Sequence, residues 1–388
     1  PFHSRREAFE GEAGVSLPTR RGYSRMKFLR MTVGLNLLAA AAAMAAPPPA
    51  TLHPAPKPAA LTAFWAECTH RAAAAEKAGT ITVQGRDGWL FFGPELRHES
   101  VGAFWGPFAA AVSKATNPAY ADPLPAILDF KRQLDKAGIQ LLFVPVPPKV
   151  VVYPDKLGSK TSLAPLPRLD IHDQDFYDLL RLNGVNVVDL APDLIAHRQD
   201  PEGPTYCKTD THWSGRACVL AAHRLAGILK TQHWFKQGPA HLSQQWKNVE
   251  IDGDLRQALD AANQAKLPKE TLPLHFVGRA GGADLTPVEP DPSSPVVFLG
   301  DSHDLIFHSG GDMLAQGAGL ADQLALEMGF PVDLVAVKGS GATPARINLL
   351  RHARANPAYL PGKKVVIWCF TAREFTESMG WQKVPVVR

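Results

Sequence analysis

Short apolar runs alternate with amphipathic segments through most of this 388-residue chain, and this alternation limits the folds open to it. The runs at 140–145, 296–299 and 364–370 have the length and composition of buried strands. Segments at 127–137 and 214–229 carry apolar residues at the spacing of a helix that packs one face on a core. Strands that alternate with helices predict an α/β fold with a doubly wound, mainly parallel sheet covered on both faces.

Weaker segments follow the same pattern. We predict further strands and helices at 84–92, 176–182, 186–190, 319–328, 332–337 and 344–352. The stretch 232–294 has weaker periodicity and many polar and proline positions, so we interpret it as an insertion. The predicted folded domain, with this insertion, extends over residues 61–388.

The region ahead of residue 61 has a different composition. Residues 47–60 are rich in proline and alanine and predict a linker. Lys27 and Arg30 precede an uncharged stretch that ends in small residues just before residue 47, which is the layout of a secretory signal. We therefore interpret residues 1–46 as an N-terminal extension followed by a cleaved signal peptide or an uncleaved membrane anchor.

The four cysteines are Cys68, Cys207, Cys218 and Cys369. An even number in an exported protein predicts at least one disulfide, which would tie the segment after the signal to the region around Cys207 and Cys218. The alternative is that all four are small buried apolar side chains. Their spacing includes no Cys-x-x-Cys pair and does not indicate zinc.

The charge pattern bears on the partners of the chain. The formal net charge is +4, and the basic residues do not form a stripe with interleaved aromatic residues. Proteins that bind nucleic acid usually carry such a stripe. We therefore expect no nucleic acid partner, and we also expect no cofactor.

A candidate nucleophile follows the strand predicted at 296–299. This strand leads directly into Gly300-Asp301-Ser302. In an open parallel sheet, ligands bind beyond the carboxyl ends of the strands, which places Ser302 at the mouth of a site. Gly300 permits a tight turn, after which backbone N–H groups can face a developing oxyanion. Gly-Asp-Ser alone is also the sequence of an ordinary turn.

A candidate base lies about 90 residues earlier in the chain. Asp210 stands two residues before His212, just ahead of a predicted helix. In an extended stretch these side chains point to one side, so Asp210 can reach Nδ1 while Nε2 takes the proton of Ser302. A metal-binding pair and a helix cap are the alternatives. Because no further ligand stands at motif spacing, we expect no metal.

These motifs carry a resemblance to a known family. Asp210-Thr211-His212-Trp213, followed much later by Gly300-Asp301-Ser302, resembles the AlgX/AlgJ family of periplasmic alginate O-acetyltransferases. Other matching stretches lie between about residues 80 and 375, at 87–91, 144–149, 153–155, 253–255, 319–324, 339–342 and 368–373. The resemblance thus extends over nearly all of the predicted mature chain.

The resemblance implies a fold and three roles. In this family the SGNH hydrolase-like domain is circularly permuted, so that the Asp-x-His pair precedes the serine. Ser302 is then the acetylated nucleophile, His212 the base and Asp210 the orienting acid. The chain stops at Arg388 without a carbohydrate-binding module, which resembles the shorter AlgJ type. It departs from the family at His303, where an aromatic or small residue is more usual.

Further candidates for substrate contacts surround these motifs. Lys149 would meet a uronate carboxylate, and Tyr153 would stack on a sugar ring. Gly339 and Ser340 would line the site with backbone N–H groups, and Arg373 would face a substrate anion. Each has an ordinary alternative: a solvated lysine, a packed ring, a loop and a surface ion pair.

The predicted function is O-acetyl transfer onto an exported polysaccharide by a ping-pong mechanism. The resemblance implies alginate mannuronate as acceptor, a membrane-bound O-acyltransferase as the partner that supplies acetyl, and a periplasmic location, either soluble or anchored to the inner membrane. Two alternatives stay open. An acetylesterase would use the same triad with water, and a non-catalytic polysaccharide-binding or assembly subunit would need no triad.

Overall fold

The structure is a computed structural model that describes residues 58–158, 166–281 and 285–387. The predicted extension and signal at 1–46, and most of the predicted linker, lie outside these residues. Within the ranges described, every helix is too short or too polar to cross a membrane.

The strands are short, and most lie where the apolar runs predict them. In chain order they are β1 (Thr82–Gln84), β2 (Leu90–Phe92), β3 (Gln140–Val146), β4 (Asn186–Val187), β5 (Ser243–Ile251), β6 (Glu270–Ala280), β7 (Leu285–Thr286), β8 (Val296–Gly300), β9 (Asp333–Ala336) and β10 (Val365–Thr371).

The helices range from single turns to twenty residues. In chain order they are α1 (Pro58–Lys77), α2 (Gly93–Ser100), α3 (Ala109–Val112), α4 (Leu124–Lys136), α5 (Lys149–Val152), α6 (Pro154–Leu157), α7 (Ile171–Leu182), α8 (Ala191–Ala196), α9 (Gly215–Lys230), α10 (Asp254–Gln257), α11 (Ala261–Gln264), α12 (Ser302–Leu305), α13 (Leu320–Met328), α14 (Thr343–Ala355) and α15 (Glu374–Glu377).

A five-stranded sheet forms the centre of the domain, in the order β4-β3-β10-β8-β9. Every pairing in it is parallel. In the middle of the sheet, Ile367 of β10 stands opposite Leu142 of β3 and Phe298 of β8. The three central strands are apolar at nearly every position. Since successive side chains of a strand point to opposite faces, such a sheet must be covered on both sides.

Two apolar cores provide that cover. Leu142, Phe298 and Ile367 belong to the core that includes α1, α9 and α13. The next residue on each strand belongs to the other core, which includes α4, α7 and α14. The predicted α/β class with a doubly wound parallel sheet is therefore confirmed.

The stretch predicted as an insertion contains a smaller antiparallel sheet. β5 pairs with β6 over its full length, and β6 continues to β7. Leu272 and Leu274 of β6 belong to the core that includes α9, whereas most of β5 is exposed. The exposure of β5 accounts for the weak apolar periodicity of this stretch.

Some predicted boundaries are displaced. α1 begins at Pro58, inside the predicted linker, because proline is tolerated in the first turn of a helix. The strand predicted at 186–190 ends at Val187. There Asp189 accepts a hydrogen bond from the N–H of Ala191 and turns the chain into α8.

The prediction of a disulfide is wrong. Cys68, Cys207, Cys218 and Cys369 are free thiols in the same apolar core, and all four are fully buried. They lie on α1, the loop before α9, α9 itself and β10, and they fill space as small apolar side chains do. Burial raises the pKa of each thiol, which keeps it protonated and unreactive.

Candidate active site

The turn after β8 places Ser302 at the carboxyl edge of the sheet. A side chain at Gly300 would put its Cβ 1.7 Å from the carbonyl oxygen of Cys369, so only glycine allows β8 to approach β10 here. One carboxylate oxygen of Asp301 accepts the N–H of His303 at 2.9 Å, and the other accepts that of Thr371 at 2.8 Å. Asp301 thereby ties the Ser302 turn to the end of β10.

The loop before α9 brings the second half of the site. Tyr206 and Trp213 form an isolated β-bridge across this loop, and Ser214 caps α9 by accepting the N–H of Ala217. Asp210 and His212 lie between these two fixed points, and both are buried.

Ser302, His212 and Asp210 form a continuous chain of hydrogen bonds. The Oγ of Ser302 lies 2.8 Å from Nε2 of His212. The Nδ1 of His212 lies 2.7 Å from Oδ1 of Asp210. The distances and the assignment of the two ring nitrogens are those of a nucleophile, base and orienting acid. The structure thus brings together the three residues that the motifs single out.

Backbone N–H groups hold the Asp210 carboxylate in place. Oδ1 also accepts the N–H of His212, and Oδ2 accepts that of Asp254, both at 2.9 Å. Asp254 in turn accepts the N–H of Thr211 at 2.7 Å. These contacts need a glycine at position 253. A Cβ there would lie 2.3 Å from the carbonyl oxygen of Thr209 and would push the two segments apart.

Burial and charge act in opposite directions on this pair. Burial raises the pKa of Asp210, but the charge of His212 and the hydrogen bonds outweigh it and lower that pKa to about 2. Burial lowers the pKa of His212, but the Asp210 carboxylate outweighs it and leaves the pKa above its ordinary value. Asp210 is therefore ionised near neutral pH, and His212 is a strengthened base.

His303, the residue after Ser302, packs against His212 and Trp213. Its ring centroid lies 4.8 Å from that of His212 and 5.6 Å from that of Trp213. The indole N–H of Trp213 donates to the His303 carbonyl at 3.1 Å. Burial lowers the pKa of His303 to about 4, so the ring is neutral at pH 7. It therefore fills space beside His212 without adding a competing positive charge.

Lys149 lies beneath the site, contrary to the expected contact with a substrate carboxylate. The side chain is fully buried. Its Nζ donates to the carbonyl oxygens of Asp210 at 2.5 Å and of Leu90 at 2.8 Å. Burial lowers its pKa. Lys149 supports the backbone that carries Asp210.

Tyr153 is also a packing residue, and the structure corrects the expected stacking on a sugar. Only 3% of the residue is exposed. Its hydroxyl donates to the carbonyl oxygen of Arg198 at 2.8 Å and accepts the N–H of Thr205 at 2.9 Å. The ring lies against Trp89, at a centroid distance of 4.1 Å.

Gly339, Ser340 and Arg373 lie near the Ser302 turn. Gly339 is exposed, and Ser340 donates through its hydroxyl to Glu374 at 2.8 Å. The loop passes close to the turn, since a Cβ at Gly341 would lie 3.2 Å from that of Asp301. Arg373 is bound to Glu95 at 3.1 Å and to Thr371 at 3.0 Å. Glu95 thus occupies the position predicted for a substrate anion.

The N–H groups that directly follow Ser302 do not face an oxyanion. The N–H of His303 donates to the Asp301 carboxylate, and that of Asp304 donates to the Asp301 carbonyl oxygen at 3.2 Å. Both donors are therefore engaged in holding the turn. This corrects the expectation that they would be free to stabilise an intermediate.

One feature of the structure supports the alternative that Asp210 and His212 bind a metal ion. Ligand atoms of Asp210, His212 and Asp254 lie within 4.8 Å of one another. However, one ring nitrogen of His212 pairs with Asp210 and the other with Ser302. A metal on either nitrogen would break the chain of hydrogen bonds, so the geometry favours a triad.

Motif reasoning missed two further supports of the site. Glu270 of β6 accepts the N–H groups of Lys208 and Thr209 at 2.8 and 3.0 Å, which anchors the start of the Asp210 loop. Asp254 supplies its backbone N–H to the triad acid. The Gly253-Asp254 pair is visible in the sequence as a turn, but its distance along the chain from Asp210 hides the contact.

A parallel α/β sheet with a serine at a strand end, bound to a histidine and an aspartate, is the arrangement of serine-dependent hydrolase-like proteins. A family model described as "SGNH hydrolase-like domain, acetyltransferase AlgX" matches residues 82–372. That match extends over most of the chain, and the protein belongs to this family.

Individual relatives agree with the family. A probable alginate O-acetylase AlgJ of Pseudomonas putida is 25% identical over 75% of this chain and 69% of its own. One from Pseudomonas aeruginosa is 27% identical over 39% of this chain and 34% of its own. The chain therefore spans between a third and about two thirds of these relatives. The solved O-acetyltransferase domain of Pseudomonas putida AlgJ superposes with a TM-score of 0.53 at 21% identity, covering 76% of this chain and 92% of that domain.

Proposed function

We propose that this protein is an O-acetyltransferase that moves an acetyl group through an acetyl-serine intermediate. The observation that carries the proposal is the chain of hydrogen bonds from Ser302 through His212 to Asp210, at 2.8 and 2.7 Å. A serine hydroxyl is a weak nucleophile without such a base. A binding or assembly subunit has no need of this buried arrangement.

The first half-reaction forms the intermediate. Oγ of Ser302 attacks the acetyl carbonyl of the donor while Nε2 of His212 takes the serine proton. The bond between the carbonyl carbon and the donor oxygen then breaks, and His212 returns the proton to the leaving oxygen. Asp210 stabilises the imidazolium that exists between these steps.

The second half-reaction transfers the acetyl group. Nε2 of His212 takes the proton of an acceptor hydroxyl, whose oxygen attacks the carbonyl of acetyl-Ser302. The ester bond to Ser302 breaks, and the proton passes from His212 to Oγ. The enzyme is restored, and the acceptor carries the ester.

The acceptor, the partner and the location belong to the same proposal. The relatives named probable alginate O-acetylase support a polysaccharide acceptor, with alginate mannuronate as the first candidate. A membrane-bound O-acyltransferase would supply the acetyl group, because acetyl-CoA is not present outside the cytoplasm. The proposed location is the periplasm, reached through the signal or anchor predicted at 1–46.

A two-product assay tests this function. The purified full chain is incubated with a chromogenic acetyl ester, with and without oligomannuronate, and acetate and acetylated sugar are followed by mass spectrometry. We expect acetyl on the sugar, and we expect Ser302→Ala to abolish it. Ser293→Ala is the control, since Ser293 lies in an exposed turn before β8.

The possible results separate the alternatives. Release of acetate alone, whatever sugar is supplied, would make the protein an esterase that uses the same triad. Full activity in Ser302→Ala, or no turnover of ester by either route, would contradict the assignment of Ser302 as a nucleophile and favour a binding subunit.

A further inference from the structure

A second cluster of ionisable residues lies apart from the triad. His98 and Glu99 are neighbours on α2, and Asp173 stands in the first turn of α7. One ligand atom of each residue lies within 4.8 Å of those of the other two. All three residues are buried, with 3%, 6% and 3% of their surfaces exposed.

The hydrogen bonds of the cluster leave two oxygens without partners. Nε2 of His98 lies 3.1 Å from Oδ1 of Asp173, and its Nδ1 lies 3.1 Å from the hydroxyl of Thr376. Among the described residues, Oδ2 of Asp173 and Oε1 of Glu99 are buried and accept no hydrogen bond. Buried carboxylate oxygens are rarely left in this state, because they lose their hydration without replacement.

Neighbouring charges do not compensate for these oxygens. Arg168 is the nearby cation, and it is already bound to Asp170 and Asp189, each at 2.8 Å. The two carboxyl groups therefore face only the imidazole of His98, and a bound cation would supply partners for both unsatisfied oxygens.

A proton on Glu99 would remove one buried charge, but it would leave Oδ2 of Asp173 without a partner unless it joined the two carboxyl groups. A metal ion bonds to all three side chains at once. It would use both unpartnered oxygens and the histidine nitrogen.

We infer that His98, Glu99 and Asp173 form a binding site for a divalent transition-metal ion of the Zn²⁺ type. An imidazole nitrogen with two carboxylates is a ligand set that zinc accepts. Ligand atoms around a tetrahedral zinc lie about 3.4 Å apart. The contact between Nε2 of His98 and Oδ1 of Asp173, at 3.1 Å, is near that spacing, and the ligand atom of Glu99 lies within 4.8 Å of those of both residues.

Both ring nitrogens of His98 have partners, as those of His212 do, but a metal on Nε2 would replace its contact with Asp173 by bonds to the same two side chains and would break no chain to a nucleophile. A metal-bound histidine usually engages its other ring nitrogen in a hydrogen bond that orients the ring. Nδ1 of His98 has such a contact with Thr376 at the end of α15. The ion would join α2 to α7, and α2 also carries Glu95, the partner of Arg373. Its expected role is structural and independent of the acetyl-transfer proposal.

Zinc binding to the full chain tests the inference. Protein stripped with EDTA is given ZnCl₂, passed through a desalting column, and analysed for zinc by mass spectrometry and for Tm by calorimetry. We expect one zinc per chain and a higher Tm. His98→Gln and Glu99→Gln should each weaken zinc binding at least about tenfold and remove the Tm increase.

Two further variants exclude other zinc sites. His212→Gln removes the triad group that also clusters with Asp210 and Asp254, and His223→Gln removes an exposed histidine beside Glu327. Both should retain zinc as the wild type does. Zinc retained equally by Glu99→Gln would overturn the inference. A wild type that binds no zinc would overturn it as well. If Glu99→Gln then melts higher than the wild type in metal-free buffer, Glu99 is protonated in the folded protein, since glutamine mimics its neutral form.

Discussion

At the scale of single residues, the site depends on how a buried carboxylate is kept ionised. Asp210 accepts hydrogen bonds from the ring and backbone of His212 and from the backbone of Asp254. These contacts overcome the cost of burial. The resulting negative charge makes His212 more basic than a histidine in water, and His303 beside it stays neutral.

The raised pKa of His212 predicts a pH profile. A general base must be unprotonated, so kcat/KM for the acetyl ester should fall as the pH drops through a pKa above the ordinary histidine value. Asp210→Asn removes the charge that raises this pKa. We expect it to move the midpoint to lower pH and to reduce the plateau by about 10³- to 10⁴-fold.

Steady-state rates between pH 5 and 9 check this prediction. Asp178→Asn is the control, because Asp178 is an exposed partner of Arg181 on α7. An unchanged midpoint in Asp210→Asn would mean that another group controls the profile.

At the scale of elements, two segments distant in sequence hold the triad acid. The start of α10 brings the N–H of Asp254 to Asp210, and β6 brings Glu270 to the residues just before it. Both segments belong to the stretch predicted as an insertion. That stretch is therefore part of the active-site scaffold and more than a surface addition.

The close approach of Gly253 to the carbonyl oxygen of Thr209 allows a test of whether this segment positions Asp210. In Gly253→Ala the new methyl group would collide with the Thr209 carbonyl and push Asp254 away from Asp210. We expect kcat to fall about 10- to 100-fold while KM changes little, because the acid is displaced but the acceptor surface remains. Ester hydrolysis by the purified variant gives both constants.

Gly362→Ala is the matched control, since a Cβ there meets no atom within 4 Å. It should behave as the wild type. A Gly253→Ala variant with wild-type kcat would show that the Asp254 contact does not position Asp210.

At the scale of the whole molecule, one sheet with two cores accounts for the stability of the fold and for the position of the site. The central strands are buried on both faces, and their carboxyl ends carry Ser302 and the Asp301–Thr371 contact. The four cysteines fill one of these cores as free thiols. The fold thus holds together through burial, without covalent links among the described residues.

The number of free thiols can be measured. With Ellman's reagent, the native protein should react at none of the four positions, because the side chains are buried and their pKa values are raised. After unfolding in guanidinium without reductant, four thiols should react. A count of two would reveal a disulfide and contradict the structure.

The sequence by itself determined the fold class and singled out the three residues that the structure joins by hydrogen bonds. Strand runs such as those at 140–145 and 296–299 are read from local composition, and β3 and β8 lie there. Asp-x-His and Gly-Asp-Ser are short motifs whose members are neighbours in the chain. Such patterns can be recognised without knowing the long-range contacts, because helix and strand periodicity and turn chemistry depend on only a few neighbouring residues.

Only the tertiary structure decided what the remaining candidates do. Lys149, Tyr153 and Arg373 stand in motifs near the strand ends, but their side chains turn inward to carbonyl and carboxylate groups from distant segments. The free state of the cysteines and the joining of His98, Glu99 and Asp173 likewise depend on which helices meet. The packing of the whole chain determines which side chains are buried and which distant residues form hydrogen bonds. A local sequence pattern does not predict these contacts.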